Sequence, residues 1–147
     1  MSPTLLSPIV IMAVAAGLAA ASRPATQDGR AVFGRTCATC HQQNGQGMRG
    51  AFPPLAASPY VNGDKARLIR IALHGLSGQL TVHEQRYNGV MPPWKSLSDA
   101  DMAAVLTYVR NNFGNAAGPV TAQEVARQRA ATASRKTMMT VAELGRP

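Results

Sequence analysis

Two thiols and an imidazole fall within one helical turn of this chain, in the string Cys37-Ala38-Thr39-Cys40-His41. Thiols add to vinyl groups as thioethers, and a neutral imidazole is a ligand for iron. C-x-x-C-H is the pattern in which both reactions converge on one c-type haem. On a helix Cys37 and Cys40 are i,i+3, and Cys37 and His41 are i,i+4, so all three share a face. Rival chemistries use the same residue types. A thioredoxin-like redox pair needs C-x-x-C at the end of a strand in a βαβ setting, and nothing nearby reads as a parallel sheet. A zinc site needs a second pair of ligands, yet the chain has no third cysteine and only His74 and His83 as further imidazoles. A simple disulfide, with His41 incidental, is the plainest alternative.

Iron held by one histidine keeps a sixth position, and a thioether is the soft donor that fills it in electron carriers. The candidates are Met48, Met91, Met102, Met138 and Met139. Met91 is favoured. It lies fifty residues beyond His41, enough chain to pass round a flat ring, and Pro92 and Pro93 hold its backbone extended. Met102 fits a helix core, Met48 is too near His41, and Met138 and Met139 lie in a polar tail. The plain alternative for any one Met is core filler, and the stiff setting of Met91 favours ligation over it. His74 ends a helix and reads as structural; His83 sits in a polar run, with bis-histidine ligation as its outside alternative.

At 147 residues the chain is one domain with extensions. Residues 5–21 are apolar or small and end in an A-x-A pattern, so 1–21 is expected to be a secretory signal. No Lys or Arg precedes Arg23, so the usual basic start is missing. An uncleaved anchor is the alternative, although the run is short for a bilayer span of about 20 residues. A haem domain is expected over 22–118 and a helical tail over 119–147. All 15 Lys and Arg follow residue 22, against 7 Asp and Glu. That balance favours acidic partners or anionic surfaces. Nucleic acid is not expected, since there is no basic run, aromatic interleaving or binding motif.

The elements needed to hold these residues can be read from capping and periodicity. Asp28 is placed to cap a helix over 29–40 with Val32, Phe33 and Cys37 on its apolar side. The glycines and prolines of 42–57 exclude regular structure, and so long a loop is usually functional. A second helix is expected over 65–74, closed by Gly75. Residues 80–82 suit a small ribbon. Ser98 and Asp101 open the clearest helix, burying Met102, Val105, Leu106, Val109 and Phe113. In the tail, Thr121-x-x-Glu124 and Thr140-x-x-Glu143 signal a short helix and a last turn. With little to bury, the tail either straps onto the domain or docks a partner.

From residue 28 to 115 the chain resembles a class I, mitochondrial-type monohaem cytochrome c. The resemblance rests on Gly29 and Phe33, on CATCH, on the Gly-rich loop ending Phe52-Pro53-Pro54-Leu55, on Tyr87-Asn88-Gly89-Val90-Met91-Pro92, and on Val105-x-x-Tyr108. With Trp94 added, it especially resembles domains of periplasmic dehydrogenase subunits and of copper nitrite reductase fusions. The resemblance implies an all-α, small cytochrome c fold of three to five helices around one covalently bound haem c. It also implies iron between His41 and Met91, a Pro53 carbonyl on the His41 Nδ1–H, and Leu55, Tyr87 and Trp94 against the haem. Gly29 would lie where the first and last helices cross. Glu84 departs from the family, where a glycine often follows Thr-Val-x.

The expected function is periplasmic one-electron transport between a donor enzyme and an acceptor, with no catalytic residue. Arg49, Lys65, Arg67, Arg86 and Lys95 are candidates for steering an acidic redox partner. The alternatives are a subunit bound permanently to a dehydrogenase or terminal reductase, and peroxidase or gas-ligand chemistry at an open iron. Contact with a membrane would come only through an uncleaved signal or a membrane-bound partner.

Overall fold

The structure, a computed structural model, describes residues 28–145; the expected signal at 1–21 lies outside them. Asp28 caps helix α1 (Gly29–Thr36) by accepting from the amides of Arg30 and Ala31. The expected single helix over 29–40 breaks at Cys37, and α2 (Ala38–His41) carries the rest of the motif. After the Gly-rich loop come α3 (Pro59–Asn62) and α4 (Lys65–His74), the latter capped by Asp64 and closed by Gly75 at φ 74°. Strand β1 (Leu76–Ser77) follows, then an antiparallel ribbon of β2 (Leu80–Val82) and β3 (Gln85–Tyr87). Helix α5 (Asp99–Arg110) is capped by Ser98, whose hydroxyl accepts from the Asp101 amide.

The described residues thus hold an all-α arrangement with two minimal sheets, and seven helices where three to five were expected. Four of the seven are long: α1, α4, α5 and α6 (Ala122–Ala131). The excess has two sources. The Cys37 break divides one expected helix into two, and α3 is a single turn opened by Pro59, too short to show a 3.6-residue period.

The principal core forms where α1 crosses α5. Gly29 makes the crossing possible, since a Cβ there would sit 2.2 Å from the Ala104 carbonyl oxygen and 2.8 Å from Tyr108 Cβ. Val32 and Phe33 from α1 meet Met102, Val105, Leu106 and Val109 from α5, all buried. Each such side chain contributes about 1.5–3 kcal/mol of burial. Phe33, Tyr108 and Phe113 pack as an aromatic trio with centroids 5.2–5.6 Å apart.

The tail folds back on this body. Helix α6 packs on α4 and α5, its Val125 fully buried. Strand β4 (Met139–Thr140) runs parallel to β1, and α7 (Val141–Leu144) closes the described chain. Thr121 with Glu124, and Thr140 with Glu143, each form a reciprocal capping box. No helix among the described residues is long and apolar enough to cross a membrane.

Candidate functional site

A deep cleft opens between α2, α4, the β2–β3 ribbon and α5, and its walls are almost wholly carbon. Its lining draws on Leu68, Ile71 and Ala72 of α4, Leu80, Val82 and Tyr87 of the ribbon, and the buried face of α5. Cys37, Cys40 and His41 all border it. Both thiols are free. Burial pushes the Cys37 thiol up, partly offset by its contact with the Thr36 hydroxyl. No cluster of three or more His, Cys, Asp or Glu able to hold a metal ion occurs among the described residues.

His41 is buried, with Nδ1 2.9 Å from the Pro53 carbonyl oxygen. A carbonyl only accepts, so Nδ1 carries the proton and the Nε2 lone pair remains for a metal. Burial lowers the His41 pKa, and the Pro53 carbonyl acts in the opposite direction. The neutral, metal-binding form is therefore the favoured one. Gly47 is what lets the loop deliver that carbonyl. It sits at φ 63°, and a Cβ there would lie 2.3 Å from the Phe52 oxygen and 2.6 Å from the Pro53 oxygen. Its amide also donates to the His41 carbonyl at 2.9 Å.

The other expected site residues divide cleanly. Leu55, Tyr87, Met91 and Trp94 all line the cleft beside Pro53. Met91 is half-buried and its backbone is fixed at both ends: its amide donates to the Leu76 carbonyl (2.9 Å) and its carbonyl accepts from the Leu76 amide (3.0 Å). Trp94 is anchored by its amide on the Ala72 carbonyl at 2.9 Å. Met102 also reaches the cleft but is only 1% exposed, as a core residue of α5. Met48 is 51% exposed and does not line the cleft. Met139 is buried in a second apolar cluster behind β1, against its expected place in a polar tail. His83 points its Nε2 to the Ala56 carbonyl at 3.0 Å and is not part of the cleft wall. His74 is buried with Nε2 2.6 Å from the Thr132 hydroxyl.

Two supporting residues had not been anticipated. Asn115, buried, donates to the carbonyls of Leu55 (3.0 Å) and Val109 (2.8 Å), tying the proline loop to the end of α5. Arg110, also buried, donates to the carbonyls of Gly63 and Gly118. Neither has a sequence signature, because Asn115 reaches Leu55 and Arg110 reaches Gly63, backbone groups brought near only by the fold.

Comparison with known proteins agrees with this geometry. A family described as Cytochrome c matches residues 26–113. Cytochrome c-552 of Thermus thermophilus is 43% identical, over 72% of this chain and 77% of that protein. The cytochrome c subunit of a quinone alcohol dehydrogenase from Gluconacetobacter polyoxogenes is 34% identical over 78% of this chain, but only 25% of its own length. A Cbb3-type cytochrome c oxidase subunit CcoP from Azospirillum brasilense is 34% identical over 61% of this chain and 29% of its own length. The family match takes in every cleft-lining residue, from Thr36 to Val109. It therefore extends to what the cleft encloses, and the chain belongs to the cytochrome c family, as an electron carrier with a single covalently bound haem c.

Proposed function

We propose that this carrier works in the bacterial periplasm as the electron-transfer partner of a larger oxidoreductase, bound to it as a subunit. Within it, Cys37 and Cys40 hold the haem and His41 Nε2 and the Met91 sulfur hold the iron. The haem supplies a one-electron Fe(II)/Fe(III) couple. The chain's own residues keep both iron ligands fixed and the surroundings dry, so that little has to rearrange when an electron moves. The observation that carries the ligand assignment is the pair of backbone restraints on one cleft: the Pro53 carbonyl on His41 and the Leu76 bridge on Met91. Leu55, Tyr87 and Trp94 supply apolar contact with the ring.

Subunit status is supported by relatives named as cytochrome subunits of dehydrogenases and oxidases. Those proteins are far longer than the matched segment, which corresponds to one part of each. A freely diffusing shuttle is the second reading, favoured by the similarity to cytochrome c-552 over 77% of that protein's length. For either, a net charge of +8 suits an acidic docking surface. Exposed Arg49, two residues before cleft-lining Ala51, and exposed Arg86, next to cleft-lining Tyr87, are placed to contribute. Lys65 is not, since its ammonium is engaged by Glu124 at 2.7 Å and by the Pro119 carbonyl.

The ligand assignment is tested by near-infrared spectra of the oxidised wild type and Met91→Ala. A sulfur-to-iron band present in the first and absent from the second is expected; a band that survives excludes Met91. Gentle purification from the native host separates the two partner readings. Elution with a large flavin- or quinone-dependent enzyme or an oxidase supports the subunit, and elution at monomer size supports the shuttle.

A further inference from the structure

The family match ends at residue 113, yet the segment beyond it is bonded to the polypeptide on both sides of Met91. On the upstream side, β4 pairs with β1, and the Met139 amide donates to the Gly75 carbonyl at 3.2 Å. The other edge of β1 is the Leu76 bridge to Met91. Gly75 is enclosed between these layers: a Cβ there would lie 2.4 Å from the Met91 carbonyl oxygen and 3.0 Å from Met138 Cε. Thr132 meets His74 one residue earlier. On the downstream side, Arg129 donates to the carbonyls of Lys95 and Leu97 and to Asp99 Oδ1, each at 2.8 Å. Lys95 in turn donates to the Arg135 carbonyl at 3.0 Å. The Met91 side chain packs against the apolar cluster that includes Met139 and Leu144.

We propose that the C-terminal segment 119–145 is a brace on the Met91 loop, and that release of the Met91 sulfur from iron is governed by this brace. The inference rests on Met91 being a ligand. For the sulfur to leave, the loop has to swing away from the cleft. The Leu76 bridge and the 95–99 stretch are its two hinges, and the tail holds both. Loosening the tail leaves the thioether chemically unchanged but lowers the cost of opening the loop. Arg129 is thus a positioning residue that never touches the haem.

The test compares holoprotein of the wild type, the double variant Arg129→Gln/Arg135→Gln, and Arg35→Gln. The last removes an ion pair of α1 with Asp101 of α5 that involves no residue of the tail, and serves as the control. Amide hydrogen exchange at Leu76 and Met91, read by NMR, should be about tenfold faster in the double variant, the effect of losing net hydrogen-bond free energy on this scale. Amides of α1 should be unaffected. Carbon monoxide binding to the reduced protein, which waits on departure of the sixth ligand, should accelerate by a similar factor. Unchanged exchange in the double variant overturns the brace. Faster exchange with unchanged carbon monoxide binding overturns its control over the ligand. Should the double variant not fold, Thr132→Val with the same readouts decides. If Met91→Ala keeps the sulfur band, the ligand assignment fails by itself, while the exchange data still report whether the loop is braced.

Discussion

Pro53 acts through its carbonyl oxygen, so the residue that governs its bond to His41 is the one that shapes the loop, Gly47. Gly47→Ala would place a methyl group against two carbonyl oxygens from a left-handed backbone. It is expected to cost roughly 2–3 kcal/mol in urea unfolding and to shift the His41 Nδ1–H resonance. Glu84 is the opposite case. With His83 it makes the two-residue turn of the β2–β3 ribbon, at φ 47° for His83 and 63° for Glu84. Such turns favour glycine, and Glu84→Gly should stabilise the protein by about 0.5–1 kcal/mol, after the greater flexibility of glycine in the unfolded chain is set against the relieved strain. Thermal unfolding checks it. At this scale the motif Cys37, Cys40 and His41 was readable because its chemistry is local in sequence. Gly47, Asn115 and Arg110 were not, because their partners are backbone atoms brought near only by the fold.

Among the elements, each capped helix announced itself and each uncapped single turn did not. Asp28, Asp64, Ser98, Thr121 and Thr140 all cap as their spacing indicates. Helix α3 was missed and the Cys37 break was missed, since four residues carry no periodicity. The tail was expected to have little to bury. It instead spends single residues at separate points, with Val120, Val125, Met139 and Leu144 each inserted into the body. Its helix α6 also carries a pH dependence. Glu124 is held down to about 2, chiefly by the hydrogen bond from Lys65 and then by the Thr121 amide. The unfolded chain binds a proton at this carboxylate near pH 4.5, well before the folded one does. The stabilisation is therefore complete above about pH 4.5 and is lost as pH falls toward 2. The exposed setting keeps it modest. Unfolding of wild type and Glu124→Gln across that interval should converge at the acid end, with the wild type more stable above it; parallel curves would contradict this.

For the whole molecule, the fold is a jacket. Crossed helices α1 and α5 hold the attachment motif, α4 and the ribbon form a second wall, and the tail fastens the loop that carries Met91. The wall pattern was legible from apolar periodicity, and the crossing from the resemblance of Gly29 and Tyr108. The placement of the tail was not, because a strap is specified by scattered contacts such as Arg129 with Asp99 and Thr132 with His74. A jacket of this kind has a purpose only if a flat group is bonded inside it. The direct measurement is mass spectrometry of denatured protein matured in a host able to attach haem, with peptide mapping. The expected result is a chain heavier by one haem, with thioether bonds mapped to Cys37 and Cys40 and lost together in Cys37→Ala/Cys40→Ala. A bare polypeptide mass, or haem that extracts freely into acidified organic solvent, would contradict the account.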